Sequence, residues 1–229
     1  EQKILHIDLE TQSSVDITRT SVYKYVEDPK FGIQLMSYAY NNGNVHTIDL
    51  AHGEKIPGQV ICDLMDGTTI KMAHYASFER ICLSKYLEKK SYLRESELLK
   101  PDSWRCTMVF ARYFNLPASL EGLCKALNLP ESYWKDERGK TLMQLYCHAQ
   151  FEDMSKIPVD EHWLAYKQYN KQDTVAEQAI WNAIYNSLLK SPSMYYPRLF
   201  KEYAVSEYIN DRGIKIDVPF VEKMSELAN

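Results

Sequence analysis

Residues Lys3–Thr11, KILHIDLET, decide how the rest of the chain reads. Apolar residues recur there at a period of two, which predicts a β-strand over Lys3–Leu9 (KILHIDL) with Leu5, Ile7 and Leu9 on one face and Ile4, His6, Asp8 and Glu10 on the other. Two carboxylates therefore share one face at the strand's end. Taken alone, either acid has an ordinary explanation as a turn or cap residue. His6 lies two residues deeper on the same face, where a packed, hydrogen-bonded imidazole is the expected state.

Working outward, Ile33–Tyr40 (IQLMSYAY) and Val45–Leu50 (VHTIDL) flank Asn41-Asn42-Gly43-Asn44, a tetrapeptide suited to positive φ. They predict a hairpin that extends the first strand into an antiparallel meander. A short helix over Gln59–Met65, a fourth strand at Thr69–Ala73 and a helix from Ser77 to Lys89 follow. A strand near Trp104–Thr107 then leads into a helix that stops at Asn115-Leu116-Pro117. Ser119 reads as the N-cap of a helix carrying Leu120, Leu123, Cys124 and Leu127, and a further helix is expected over Thr141–His148 after the exposed, charged loop Lys135–Lys140 (KDERGK). From Glu161 to Leu189 apolar residues recur at helical spacing without Pro or Gly. Ser191-Pro192-Ser193 and Pro197 mark a joint; beyond it a helix over Leu199–Asn210 ends at Gly213, and another starts at Asp217-Val218-Pro219.

The 229 residues are 45% hydrophobic and 25% charged, which is globular usage and excludes disorder and collagen-like repetition. With 27 basic against 31 acidic side chains the net charge is −4, so no global positive field draws the chain to a polyanion; phosphate binding must be local or metal-assisted. No apolar run approaches the ~20 residues of a membrane helix, so a soluble protein is expected. Five cysteines are widely spaced without a C-x-x-C pair, which predicts reduced, mostly buried thiols of a cytosolic protein. The chain begins at Glu1 with no basic-then-apolar leader, and no signal peptide is expected.

The residues that point to chemistry are Asp8-Leu9-Glu10-Thr11, then Phe78-Glu79, then Tyr169-Asn170-Lys171-Gln172-Asp173. A spacing of four puts Tyr169 and Asp173 on one helical face, which can converge with the acidic strand face. Hard divalent cations prefer oxygen ligands, and two of them ~3.5–4 Å apart stabilise both the attacking and the leaving oxygen of a phosphoryl displacement. Carboxylates also offset the cation charge, so an acidic protein can hold a polyanion.

In this order the segments resemble the DEDDy (DnaQ-like) 3′–5′ exonucleases, the proofreading domains of family A DNA polymerases, with phage polymerases the most similar. The first motif, D-x-E-T, corresponds to Asp8, Glu10 and Thr11; the second to Glu79 in MAHYASFER; the third, Y-x-x-x-D, to Tyr169 and Asp173 in YNKQDTVAE. WRCT (Trp104–Thr107), LPASLEGL (Leu116–Leu123), KDERGKTLM (Lys135–Met143) and the connector-like EYINDRGIKID (Glu207–Asp217) extend the likeness over nearly the whole chain.

The resemblance implies an α/β fold: an RNase H-like mixed β-sheet of order 3-2-1-4-5 with helices on both faces, plus a C-terminal helical connector. Residues 1–190 would be the exonuclease domain, and 191–229 the connector to a polymerase domain in the same chain. The activity implied is metal-dependent editing of DNA at a single-stranded 3′ end, releasing nucleoside 5′-monophosphates with two divalent ions, Mg²⁺ or Mn²⁺. Cytoplasmic location follows (the host cytoplasm, if phage-encoded), with no membrane and no oligomer. Asp8, Glu10 and Asp173 would hold the metals, Glu79 would assist through a bound water, Tyr169 would position the attacking water beside Glu10, and Thr11, Tyr75 and Phe78 would meet substrate. Two positions depart from the pattern: Glu79 stands where the family usually has Asp, and Tyr75 where it usually has Asn. Tyr75 raises a rival, a catalytically impaired DNA-holding module, against which the complete set of acids argues. An RNase of the same superfamily is a further alternative, against which the polymerase-like connector argues. His74, the loop cations Lys135, Arg138 and Lys140, and the seventeen tyrosines are lesser candidates for substrate contact.

Overall fold

In a computed structural model, residues 2–134, 139–148, 151–186 and 196–228 are described. The opening strand, β1 (Ile4–Gln12), lies in the middle of a five-stranded sheet. It pairs antiparallel with β2 (Gly32–Tyr40), which pairs antiparallel with β3 (His46–Asp49), so the meander forms around the Asn41 turn. Asn41 takes a positive φ of 49°, as the asparagine-rich turn requires. On its other side β1 pairs parallel with β4 (Ile70–Ala73), and β4 parallel with β5 (Trp104–Cys106). The order β3-β2-β1-β4-β5 is the expected one, and the parallel pairs require crossovers: α1 (Val22–Val26) and α2 (Gly58–Met65) lie between β1 and β4 in the chain, and α3 (Ala76–Lys89) between β4 and β5.

Both faces of β1 are covered. Leu5, Ile7 and Leu9 join the cluster of Val60, Leu64, Leu83 and Leu87 from α2 and α3. The opposite face meets α7 (Glu161–Ile184), a 24-residue helix whose N-cap Asp160 accepts from the backbone of His162 and Trp163. Three rungs join them: His6 to Glu177 at 2.5 Å, Asp8 to Asn170 at 2.7 Å and Glu10 to Tyr166 at 2.8 Å. Numbers rise along β1 as they fall along α7, so the two run in opposite directions. The pitches match: β1 advances ~13 Å from His6 to Glu10, and α7 ~16 Å from Tyr166 to Glu177. α4 (Thr107–Tyr113) and α5 (Leu120–Ala126), capped by the Ser119 hydroxyl as expected, and α6 (Gly139–Tyr146) fill the remaining space around α7.

β1 runs to Gln12, past the predicted end at Leu9, because Glu10, Thr11 and Gln12 keep pairing with β2 across a bulge. The register steps from Leu35 to Ile33 there, next to the acids, where an irregularity re-aims side chains. α1 is absent from the sequence expectations: five residues are too few to show a helical period, and its definition comes from the Ser21 cap accepting from Lys24. α8 (Tyr196–Arg212) ends at Gly213, whose φ of 65° suits a glycine terminator, and α9 (Val218–Ala228) follows. The expected joint at Ser191–Ser193 and the loop cations Lys135 and Arg138 lie outside the described residues, as does the Lys140 side chain. Among the described residues no helix is long and apolar enough to cross a membrane.

Candidate active site

β1 carries Asp8 and Glu10 to its carboxyl end, and β4 ends at Ala73, so the chain turns through His74 and Tyr75 into α3 beside them. Ligands of α/β sheets collect at this edge of the strands. The turn places Glu79 in the first turn of α3, almost completely buried, and α7 brings Tyr169 and Asp173 across. Donor oxygens of Asp8, Glu10 and Asp173 all lie within 4.8 Å of one another. Three carboxylates so close repel unless a cation or protons intervene, and their all-oxygen chemistry fits a hard divalent ion. Glu79 Oε2 is buried with no hydrogen-bond partner among the described residues, which further suits a missing positive group.

Burial raises the Glu79 carboxyl to about 8, with the nearby Glu177 and Glu10 charges adding to the effect and a backbone hydrogen bond opposing it. Its place at a helix N-terminus favours the anion, but desolvation wins. Burial also pushes the Tyr169 phenol far above its usual range, reinforced by the nearby Asp173, Glu10 and Asp8 carboxylates. Tyr169 therefore stays a neutral hydroxyl, able to orient a partner and unable to serve as a base at physiological pH.

These residues line an open cleft of about 430 Å³. Asp8, Glu10, Thr11, Tyr75, Phe78, Glu79, Tyr169 and Asp173, the full set named from sequence, all border it. Their placements differ. Thr11 is buried in the cleft floor, its hydroxyl 2.8 Å from that of Tyr25. Tyr75 is 50% exposed at the mouth, its ring within 8° of parallel to that of Phe78 with centroids 6.3 Å apart. His74 is tied down at both ring nitrogens, to Thr107 Oγ1 at 3.0 Å and Ala118 O at 2.8 Å. His6 is packed and hydrogen-bonded as expected, on Glu177. A second cleft of about 500 Å³ holds His6, Arg105 and Trp181 but none of the four acids.

Sequence reasoning gave no role to three residues of α7 that touch the acidic strand face: Tyr166, Asn170 and Glu177. Together with Tyr169 and Asp173 they recur at steps of three and four, so the signal was a helical stripe facing β1. Gly139, the first residue of α6, was also overlooked: a Cβ there would lie 2.1 Å from the Tyr169 ring. Only glycine allows this backbone to lie against that ring.

No protein-family model matches the chain. It is 37% identical over 230 residues to a DNA polymerase of Bacillus phage SP02, a match that covers 96% of this chain and 33% of the relative. The chain thus spans about a third of the length of that relative. Among solved structures, Brucella melitensis NrnC superposes with a TM-score of 0.57 at 15% identity, covering 92% of this chain and 85% of that one. NrnC bound to pGG gives 0.58 at 14% identity, with 94% and 88% covered. NrnC with bound Mg²⁺ gives 0.52 at 13%, with 94% and 89% covered. The chain is similar in sequence to a phage DNA polymerase over nearly all of its length, and it has the fold of RNase H-like nucleases.

Proposed function

We propose that this chain is the 3′–5′ exonuclease domain of a DNA polymerase, removing mismatched 3′-terminal nucleotides from single-stranded ends as nucleoside 5′-monophosphates. The observation that supports this most directly is the convergence of Asp8, Glu10 and Asp173 within 4.8 Å, beside Glu79 and Tyr169, in an open cleft. Likeness to a phage polymerase supports DNA as substrate, and a polymerase domain would be the partner within the same protein. An NrnC structure with Mg²⁺ and another with pGG support the same class of cation and ligand.

Asp8, Glu10 and Asp173 would hold two divalent ions, Mg²⁺ or Mn²⁺, with Glu79 assisting. When bound, such ions neutralise the phosphate and stabilise the attacking and leaving oxygens. The chain's own groups do the rest. Tyr169, held neutral beside Asp173, orients the attacking water. The Tyr75 and Phe78 rings and the floor around Thr11 hold the terminal nucleotide, whose base has a π-face to offer.

Incubating a 5′-labelled single strand with the protein in Mg²⁺, Mn²⁺ or EDTA tests this. Stepwise shortening from the 3′ end with a metal, and none in EDTA, is expected. Asp8→Ala combined with Glu10→Ala should lower the rate at least 100-fold, about 2.7 kcal/mol of transition-state stabilisation, while leaving metal-free stability unchanged or raised as repulsion is relieved. Binding without cleavage by the parent chain would identify a DNA-holding module, and faster cleavage of RNA an RNase.

A further inference from the structure

We propose that Asn170 and Tyr166 are positioning residues, which fix the Asp8 and Glu10 carboxylates in their cation-holding orientation, Asn170 at the end of a hydrogen-bond chain that starts in the sheet and Tyr166 by its own hydroxyl. This rests on the cation-dependent reading of the same site. Residues 166, 169, 170 and 173 of α7 stand on one face: Tyr169 and Asp173 reach the cleft, while Tyr166 and Asn170 support the two strand acids.

The Asn170 amide is fully buried and lies 2.7 Å through Nδ2 from Asp8 Oδ2. Its Oδ1 lies 2.5 Å from the Ser37 hydroxyl, and Ser37 Oγ lies 2.8 Å from Thr47 Oγ1. The sheet sets this row, since Asp8 is opposite Ser37 in the β1–β2 ladder and Ser37 opposite Thr47 in the β2–β3 ladder. Chemistry gives the row one direction. An ionised carboxylate only accepts, so the amide must turn its NH₂ to Asp8 and its oxygen to Ser37. Ser37 then donates to that oxygen, and Thr47 must donate to Ser37. Four groups on three strands and one helix thus resolve to Thr47→Ser37→Asn170→Asp8.

Glu10 is held separately. Its Oε2 accepts at 2.8 Å from the hydroxyl of Tyr166, which is fully buried. With one oxygen of each carboxylate engaged by a fixed donor, the plane of each carboxylate is set before a cation arrives. Groups that orient ligands in this way are worth about 10–100-fold in metal affinity or activity. A merely space-filling role would place no demand on the hydroxyl of Tyr166 or on the Ser37 hydroxyl.

The test is Mn²⁺ binding to the whole chain without DNA, followed by electron paramagnetic resonance, with thermal melts to confirm folding. Tyr166→Phe and Asn170→Ala should each raise the half-saturating Mn²⁺ concentration about tenfold or more. Ser37→Ala should shift it in the same direction by less, Ser37→Thr should restore the parental value, and adding Ser37→Ala to Asn170→Ala should change nothing further, since the chain is already cut. Should Asn170→Ala fail to fold, Tyr166→Phe and Ser37→Ala still decide. Midpoints within about twofold of the parent in folded variants would overturn the assignment. A parent that binds Mn²⁺ but shortens no DNA would sink the proposed activity and leave this inference standing, whereas one that binds no Mn²⁺ would end both.

Discussion

Glu79 is one methylene longer than the aspartate usual in the exonuclease pattern that the chain resembles, and it sits where a charge is costly. Its unfolded value lies near 4.5 and its folded value near 8, so between them the folded chain keeps a proton that the unfolded chain has released. Stability from this group is fully present below about pH 4.5 and is lost as pH rises through about 8. In EDTA the melting temperature should therefore fall across this window, and Glu79→Gln should flatten the fall. An unchanged slope in the Gln variant would assign the effect to another group. Tyr75 departs further from its pattern. An Asn amide offers a donor and an acceptor to the terminal nucleotide, a phenol one hydroxyl on a larger ring, so Tyr75→Asn should raise kcat/KM on single strands by about 10-fold. Tyr75→Phe should not; an Asn variant slower than both aromatic forms would make the exposed ring a stacking platform instead. Asp8 and Glu10 were legible from a strand spacing of two and Asp173 from its spacing of four to Tyr169, whereas Glu79 was legible only through the resemblance. Tyr166 and Asn170 were not, since their partners lie 156 and 162 residues away and only the folded register names them.

Among the elements, those with several turns or pleats were readable before the structure: β1, β2, α3 and α7 each carry enough residues for a period to show. α1 did not, and neither did the bulge between β1 and β2, which depends on pairing and not on local pattern. Helix α6 shows how an element's approach can matter more than its propensity. Replacing a helical glycine by alanine ordinarily stabilises by about 1 kcal/mol. At Gly139 the added carbon would overlap the Tyr169 ring at 2.1 Å, so one of them must move. Gly139→Ala should therefore cost activity, on the order of 100-fold for a displacement near 1 Å. In a Tyr169→Leu background the same change should cost little more. Full additivity in that double mutant would show that Gly139 acts elsewhere.

At the scale of the molecule, α8 is clamped to the helix that bears Glu79. Arg80, fully buried one residue on, donates to Glu207 at 2.9 Å and to both oxygens of Asp211 at 2.7 and 3.0 Å, while Ser77 donates to Glu207 at 2.6 Å and Tyr23 to Asp211 at 2.7 Å. Removing the guanidinium would strand the buried Glu207 carboxylate and the half-buried one of Asp211, so Arg80→Ala should lose about 3–5 kcal/mol in urea unfolding and open α8 to protease. A loss below about 1 kcal/mol would mean that apolar packing alone seats the helix. Beyond the clamp, Phe220, Met224 and Leu227 of α9 are exposed. The rungs between β1 and α7 carry a consequence in time. Asp8 and Asn170 are 162 residues apart, and at ~5–20 residues per second a ribosome needs on the order of ten seconds or more to join them. For that interval Asp8 and Glu10 exist without Asp173, so the three-carboxylate cluster cannot yet form.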